Sequence, residues 1–321
     1  MKKIAVFTSG GDAPGMNAAI RAVVRCGLQN NLEVVGIQNG YEGMIDGDFV
    51  TLSSRSVGNI IHRGGTILKT SRSERFLTEA GRKTAFDQLR LHQIDGVIAI
   101  GGDGTFKGAT VFTQEYDIPF IGLPGTIDND LAGTEYTIGY DTAINTAMQS
   151  MDKIRDTATS HGRLFFIEVM GRDSGAIALD SGIASGAEDI FIPEIKTDLE
   201  EFSAKLQLSK HKESYMIVVS EGDELGHVKD IAEKFQKMHP EYEIKFVVLG
   251  HLLRGGSPTA IDRIIPSKMG IAAVEALLNN ERNVMIGWKE NNLHKTALTH
   301  AVKRQMEINK PLLAVLNALS Y

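Results

Sequence analysis

The sequence predicts an α/β protein built on an open parallel sheet, and three observations carry the prediction. Short apolar runs at residues 4–8, 33–37, 96–100 and 119–123 read as strands buried on both faces. Each run ends in a polar loop, most of them rich in glycine, and helix-compatible sequence follows. The 321 residues suffice for one large α/β domain, or for two domains at roughly 150 residues each.

Composition narrows the function classes. Hydrophobic content of 42% and charged content of 23% are those of an ordinary globular protein. A net charge of -6 argues against a nucleic-acid partner, although local basic clusters remain able to receive phosphates. No apolar run approaches the ~18 residues of a membrane span, and the first strand begins at Ile4 without a signal-like segment. The single cysteine, Cys26, excludes an internal disulfide and sits among apolar positions of an expected helix. A cytoplasmic, enzyme-sized protein is the expectation.

Taken in order, the strand at residues 4–8 leads into Ser-Gly-Gly-Asp-Ala-Pro-Gly-Met-Asn and then a helix carrying Ile20, Val23 and Val24. Glycines let backbone approach an anion, and a helix N-terminus adds unpaired N–H groups, so this loop suits phosphate. It has neither the Gly-x-Gly-x-x-Gly nor the Walker spacing, and a tight connection without a ligand stays open. The strand at 33–37 places Tyr41 near its end, and residues 63–72 bring Gly-Gly together with Arg72, a combination suited to a triphosphate. The strand at 96–100 ends in Gly-Gly-Asp-Gly-Thr, where Asp103 offers an oxygen to Mg²⁺, a cation that takes few protein ligands and prefers substrate phosphates.

The strand at 119–123 ends in Pro-Gly-Thr-Ile-Asp-Asn-Asp. Asp128 and Asp130 are two apart, so an extended segment turns them to one side, where one carboxylate could act as base while the other orients a metal or hydroxyl. Turn chemistry alone is the competing explanation. By the rule for open parallel sheets, the loops at the carboxyl ends of these strands should converge on one crevice.

Residues 142–157 read as a helix whose Ile144, Met148, Met151 and Ile154 face a core. The strand at 164–170 ends in Gly-Arg-Asp-Ser-Gly, a faint echo of the N-terminal loop and a hint of a second unit on the same plan. Further strands are expected at 190–193, 215–220 and 245–249, with a charged helix at 223–237. Residues 250–258 form another glycine-bearing loop with His251 and Arg254, and Ser257-Pro258 reads as the cap of a helix through Leu278.

Together, residues 101–105, 124–130, 170–172 and 250–256 resemble those of the bacterial ATP-dependent 6-phosphofructokinases, and the similarity spans essentially the whole chain. The resemblance implies two Rossmann-like three-layer αβα domains in the phosphofructokinase fold. A larger ATP-binding domain would take residues 1–138 and about 252–302, and a smaller sugar-phosphate domain about 139–251 and 303–321. It implies transfer of the ATP γ-phosphoryl group to the 1-hydroxyl of fructose 6-phosphate, releasing ADP, in a homotetramer with active sites shared between subunits.

By the same resemblance Asp128 is the base, with Thr126, Ile127 and Asp130 beside it, and Asp103 is the Mg²⁺ ligand. Gly11, Tyr41, Arg72, Ser73, Gly102, Gly104 and Thr105 contact ATP. Arg172 stabilises the transferring group, while Met170, Gly171, Glu221, His251 and Arg254 hold the sugar phosphate. Arg163 and Lys245 reach it from a neighbouring subunit. An effector pocket for ADP or phosphoenolpyruvate would involve Arg21, Arg25, Arg155, Gly186, Glu188, Lys210 and Lys212.

Gly104 and Gly125 stand where pyrophosphate-using relatives carry Asp and Lys, which favours ATP. Departures from the family pattern are Lys245 for a usual arginine, Ser73 for a usual aromatic, and Ser54 and Asn59 in the effector pocket. A kinase of another sugar phosphate or dinucleotide, and a non-catalytic nucleotide sensor, are the alternatives.

Overall fold

Strand β1 (Lys3–Ser9) is buried from its second residue onward, as a strand covered on both faces must be. It opens a computed structural model that describes residues 1–208, 214–303 and 310–319. Helix α1 (Met16–Gln29) buries Ile20, Val23 and Val24 on its apolar stripe. There follow β2 (Glu33–Ile37), α2 (Gly40–Asp46), β3 (Phe49–Thr51), α3 (Glu79–Leu91), β4 (Gly96–Gly101), α4 (Asp103–Glu115) and β5 (Phe120–Pro124). Helix α5 (Tyr140–His161) then leads to β6 (Leu164–Val169), α6 (Ala176–Ala184), β7 (Asp189–Phe191), α7 (Leu199–Leu208), β8 (Tyr215–Ser220), α8 (Val228–Met238) and β9 (Ile244–Val248). The chain closes with α9 (Ile261–Leu278), β10 (Val284–Lys289), β11 (Asn292–Ala297) and α10 (Lys310–Leu319).

Two compact units result, Met1–Thr142 with Arg254–Arg304 and Ala143–Leu253 with Gln305–Tyr321. The first holds a seven-stranded sheet in the order β11-β10-β5-β4-β1-β2-β3. Its five inner strands run parallel, and β3 and β11 pair antiparallel at the edges. Strand order reverses between β1 and β4, the switch point at which open sheets leave a crevice for ligands. The second unit has four parallel strands, β7-β8-β6-β9, with its own reversal at β6. Its core centres on Phe166, Phe191, Phe202 and Phe235.

The structure corrects several sequence-based boundaries. Helix α9 begins at Ile261, because the Ser257 hydroxyl is engaged elsewhere: it donates to the His62 carbonyl and accepts from Arg263. Helix α8 begins at Val228, since residues 223–227 form a turn in which the Asp223 carboxylate accepts from the Leu225 amide and the Thr197 hydroxyl. Strands β3, β10 and β11 carry no expectation from the sequence.

Candidate active site

In the first unit the two glycine loops meet at the switch point. The Thr105 hydroxyl donates to the Ser9 carbonyl at 3.2 Å, and the Gly125 amide donates to the Gly101 carbonyl at 2.9 Å. The ends of β1, β4 and β5 are thereby fastened side by side. A side chain at Gly101 would put its Cβ 2.3 Å from the Thr105 Oγ1 and 2.5 Å from the Ser9 oxygen, so only glycine permits this approach. Asp103 opens α4, whose first N–H groups face the same place.

Gly104 has nothing within 4 Å of where a Cβ would stand, so open space lies beside it. Gly125 differs: its Cβ direction runs into Met16 at 2.9 Å and Ile100 at 3.1 Å. Its smallness serves strand packing, and of the two glycines only Gly104 faces room for a ligand.

Arg254 lies on the same rim. Its Nη1 donates to the Asp12 carbonyl at 3.3 Å, and a Cβ on Gly11 would sit 2.4 Å from that nitrogen. The loop at residues 63–72 is strapped alongside by Asn17, which bonds the Arg63 and Gly64 carbonyls and the Ile67 amide, and by the Thr70 hydroxyl on the Gly10 carbonyl. Asn17 carried no expectation from the sequence, and nothing local to it signals the role. Tyr41 lies within α2 behind the loop, stacked on Phe76 and donating its hydroxyl to the Thr105 carbonyl at 2.6 Å. Burial drives its phenol pKa well above the ordinary value. Ser73 donates to Glu42, and Arg72, next to it in the chain, is exposed.

The segment after β5 is built to hold carboxylates. Asp128 and Asp130 are 5% and 6% exposed, and Asn129 between them adopts a left-handed conformation with φ 50°. The Asn129 side chain donates to the Glu135 carbonyl and accepts from the Thr137 hydroxyl, which closes the loop on itself. The Asp128 amide donates to the Thr126 hydroxyl at 3.2 Å. Burial pushes the Asp130 carboxyl above the ordinary range, and the Lys303 ammonium opposes that rise.

Further along, the fully buried Asp262 of α9 accepts from the Tyr136 hydroxyl, the Gly139 amide, and the Thr142 amide and hydroxyl. It thus caps the start of α5 from outside the helix. Within α9 its polarity reads as an ordinary solvated position, so no local pattern marks it.

Asp103 accepts from the Lys303 amide at 2.7 Å and from the Lys107 ammonium at 2.7 Å. Among the described residues no group of three or more His, Cys, Asp or Glu could hold a metal ion. Asp103 and Asp130, close enough to repel electrostatically, fit instead a hard cation that brings phosphate oxygens with it.

In the second unit the strand ends also gather. The Glu221 carboxylate, just past β8, accepts from the Gly171 amide at 3.3 Å and the Arg172 amide at 2.9 Å, holding the turn after β6. Arg172 takes a left-handed conformation with φ 52°, and Met170 is buried before it. His251 follows β9 and is exposed. Arg163 and Lys245 flank a single carboxylate, that of Glu243, at 2.9 and 3.1 Å, which lowers its pKa.

Arg155 donates to the Ser185 and Gly186 carbonyls, and Glu188 accepts from the Met216 amide. Arg21 is half-buried and Arg25 exposed on α1, while Lys210 and Lys212 lie outside the described residues.

No helix among the described residues is long and apolar enough to cross a membrane. A family model described as Phosphofructokinase matches residues 3–277. The chain is similar to ATP-dependent 6-phosphofructokinase 1 of Thermus thermophilus, with 53% identity over 322 residues and 100% of both chains covered. It is similar also to ATP-dependent 6-phosphofructokinase 2 of Bacteroides thetaiotaomicron, 50% identical over 100% of this chain and 99% of the relative. Among solved structures, phosphofructokinase from Saccharomyces cerevisiae superposes with TM-score 0.89 and 34% identity, over 100% of this chain and 48% of the larger yeast chain. A pyrophosphate-dependent phosphofructokinase from Marinobacter aquaeolei, 22% identical with TM-score 0.86 over 99% of this chain and 91% of its own, shares the fold. The chain belongs to the phosphofructokinase family.

Proposed function

We propose that this chain transfers the γ-phosphoryl group of ATP to the 1-hydroxyl of fructose 6-phosphate, giving fructose 1,6-bisphosphate and ADP, as an enzyme of glycolysis. The observation that carries the reading is the pair of glycine loops fastened together at the switch point, next along the sheet to the loop of buried carboxylates. Full-length relatives named ATP-dependent 6-phosphofructokinase at about half identity support the donor and the acceptor.

Within that reading the backbone of Gly11 and of residues 102–105 cradles the phosphates, and Arg72, Ser73 and Tyr41 lie on the nucleotide side. Asp103 holds Mg²⁺, which when bound neutralises charge on the transferring phosphate. Asp128 takes the proton of the 1-hydroxyl as the oxygen attacks in line, and Thr126, Ile127 and Asp130 orient that hydroxyl. Arg172 offers its guanidinium to the charge that spreads over the transferring group, an interaction stronger in the transition state than in the ground state. Glu221 fixes the amides of Gly171 and Arg172, which supports the role of that turn in holding the sugar. Met170, His251 and Arg254 complete the sugar-phosphate contacts, with Arg163 and Lys245 supplied by a neighbouring subunit of a homotetramer. Arg21, Arg25, Arg155, Gly186, Glu188, Lys210 and Lys212 bind ADP or phosphoenolpyruvate as effectors, and the enzyme works in the cytoplasm.

A coupled assay of the purified chain decides the reading. Fructose 6-phosphate with MgATP is expected to turn over, and pyrophosphate in place of ATP is expected to give at most about a hundredth of that rate, as removal of a matched donor costs in comparable sites. Absence of turnover with ATP, or preference for pyrophosphate, would overturn it.

A further inference from the structure

Asp103 and Asp130 each have cationic or amide partners within the chain. The Ala132 amide donates to the Val302 carbonyl at 3.0 Å, and Leu131 and Lys303 form an antiparallel bridge. This short pairing carries Lys303 to both carboxylates at once. Its amide donates to the Asp103 Oδ1 at 2.7 Å, and its ammonium stands 3.7 Å from the Asp130 Oδ2. Lys107 covers the other Asp103 oxygen, but its side chain is 61% exposed, against 30% for Lys303 and 9% for Asp130. Solvent therefore screens the Lys107 charge more than that of Lys303.

A buried carboxylate beside another needs a counter-charge, and here the chain supplies one. A bare divalent cation approaching the Asp103–Asp130 pair meets the Lys303 ammonium beside Asp130, whereas a cation that arrives on nucleotide phosphates brings negative charge that outweighs it.

We propose that Lys303 is a positioning residue, the resident counter-cation of Asp130 with its amide on Asp103, which keeps the nucleotide-free site from binding free divalent metal and so couples metal entry to the nucleotide. The proposal rests on the reading of Asp103 as the Mg²⁺ contact. Lys303 itself has no part in the chemical step; it acts through the two carboxylates.

The test is a titration of the full chain with Mn²⁺, without nucleotide, read by the electron paramagnetic resonance of the free ion. Lys303→Met is expected to tighten Mn²⁺ binding at least about fivefold, the scale of removing one partly screened charge a few ångströms away. Lys303→Arg, which restores the charge, is expected to stay within about twofold of the parent, and Lys107→Met to change less than Lys303→Met. A purely structural role would leave Lys303→Met and Lys303→Arg alike. Unchanged Mn²⁺ affinity in Lys303→Met, with MnATP-dependent turnover intact, overturns the proposal alone. The double variant Asp103→Asn/Lys303→Met separates the two claims: loss of the gained affinity supports both, and its persistence overturns the assignment of Asp103.

Discussion

Asp128 is 5% exposed, and its own amide is held by the Thr126 hydroxyl. A carboxylate so confined is aimed by its backbone. The left-handed Asn129 fixes the direction of both neighbours, because its side chain ties the loop to Glu135 and Thr137 and leaves it little freedom to turn. Asparagine at position 128 keeps the shape and removes the proton acceptor. Asp128→Asn is therefore expected to lower turnover by at least about 10²-fold, the low end for a lost general base, while the dissociation constant for ATP stays within about threefold. Steady-state kinetics with equilibrium nucleotide binding check both halves; near-normal turnover would remove Asp128 from the mechanism.

Among the elements, α3 and α4 show how packing distant from the chemistry supports the loops. Arg82 of α3 grips Glu115 at the end of α4 through two contacts of 2.6 Å, and it also donates to the Phe76 and Leu77 carbonyls. Phe76 stacks on Tyr41 with ring centroids 3.9 Å apart, and Tyr41 holds the Thr105 carbonyl. A chain of contacts thus runs from a helix-to-helix ion pair to the first turn of α4. The Arg82 guanidinium holds the Glu115 carboxyl below its ordinary value. Glu115 is lowered in the folded state, so the pair's contribution is fully present above the ordinary glutamate pKa of about 4.3 and is lost as pH falls through the lower folded value. Arg82→Met is expected to cost about 0.5–1 kcal/mol at neutral pH, the range for a partly exposed but bidentate pair. That difference should shrink toward the loss of the backbone contacts alone in acid. Chemical denaturation of both proteins across the acid range measures it, and a difference that does not depend on pH would sink the role given to Glu115.

For the whole molecule, legibility followed local pattern. The parallel strands β1, β2, β4 and β5 could be read because burial on both faces demands apolar runs, and the glycine loops because close backbone approach demands small residues. Strand β11 escaped because almost all of its residues are exposed at a sheet edge, where no hydrophobic pattern is required. Asp262 and Lys303 escaped because their partners lie 120 to 200 residues away, so no spacing along the chain marks them.

Arg163 and Lys245 present the same problem at larger scale: spacing shows two cations, the fold brings both to Glu243, and in the proposed homotetramer assembly would give them a substrate. If a neighbouring subunit supplies them, each active site takes Asp128 from one chain and this pair from another. Two impaired proteins should then repair each other. Asp128→Asn lacks the base but carries intact cations, whereas Arg163→Ala/Lys245→Ala carries the base without them. Dissociating and reassembling the mixture should form hybrids in which some sites combine the intact halves of both. Turnover at low fructose 6-phosphate is expected to rise well above the mean of the two parents, by about tenfold or more given the size of each defect. Native mass spectrometry confirms that hybrids form; hybrids without recovered turnover would place Arg163 and Lys245 in the same chain's site or outside it.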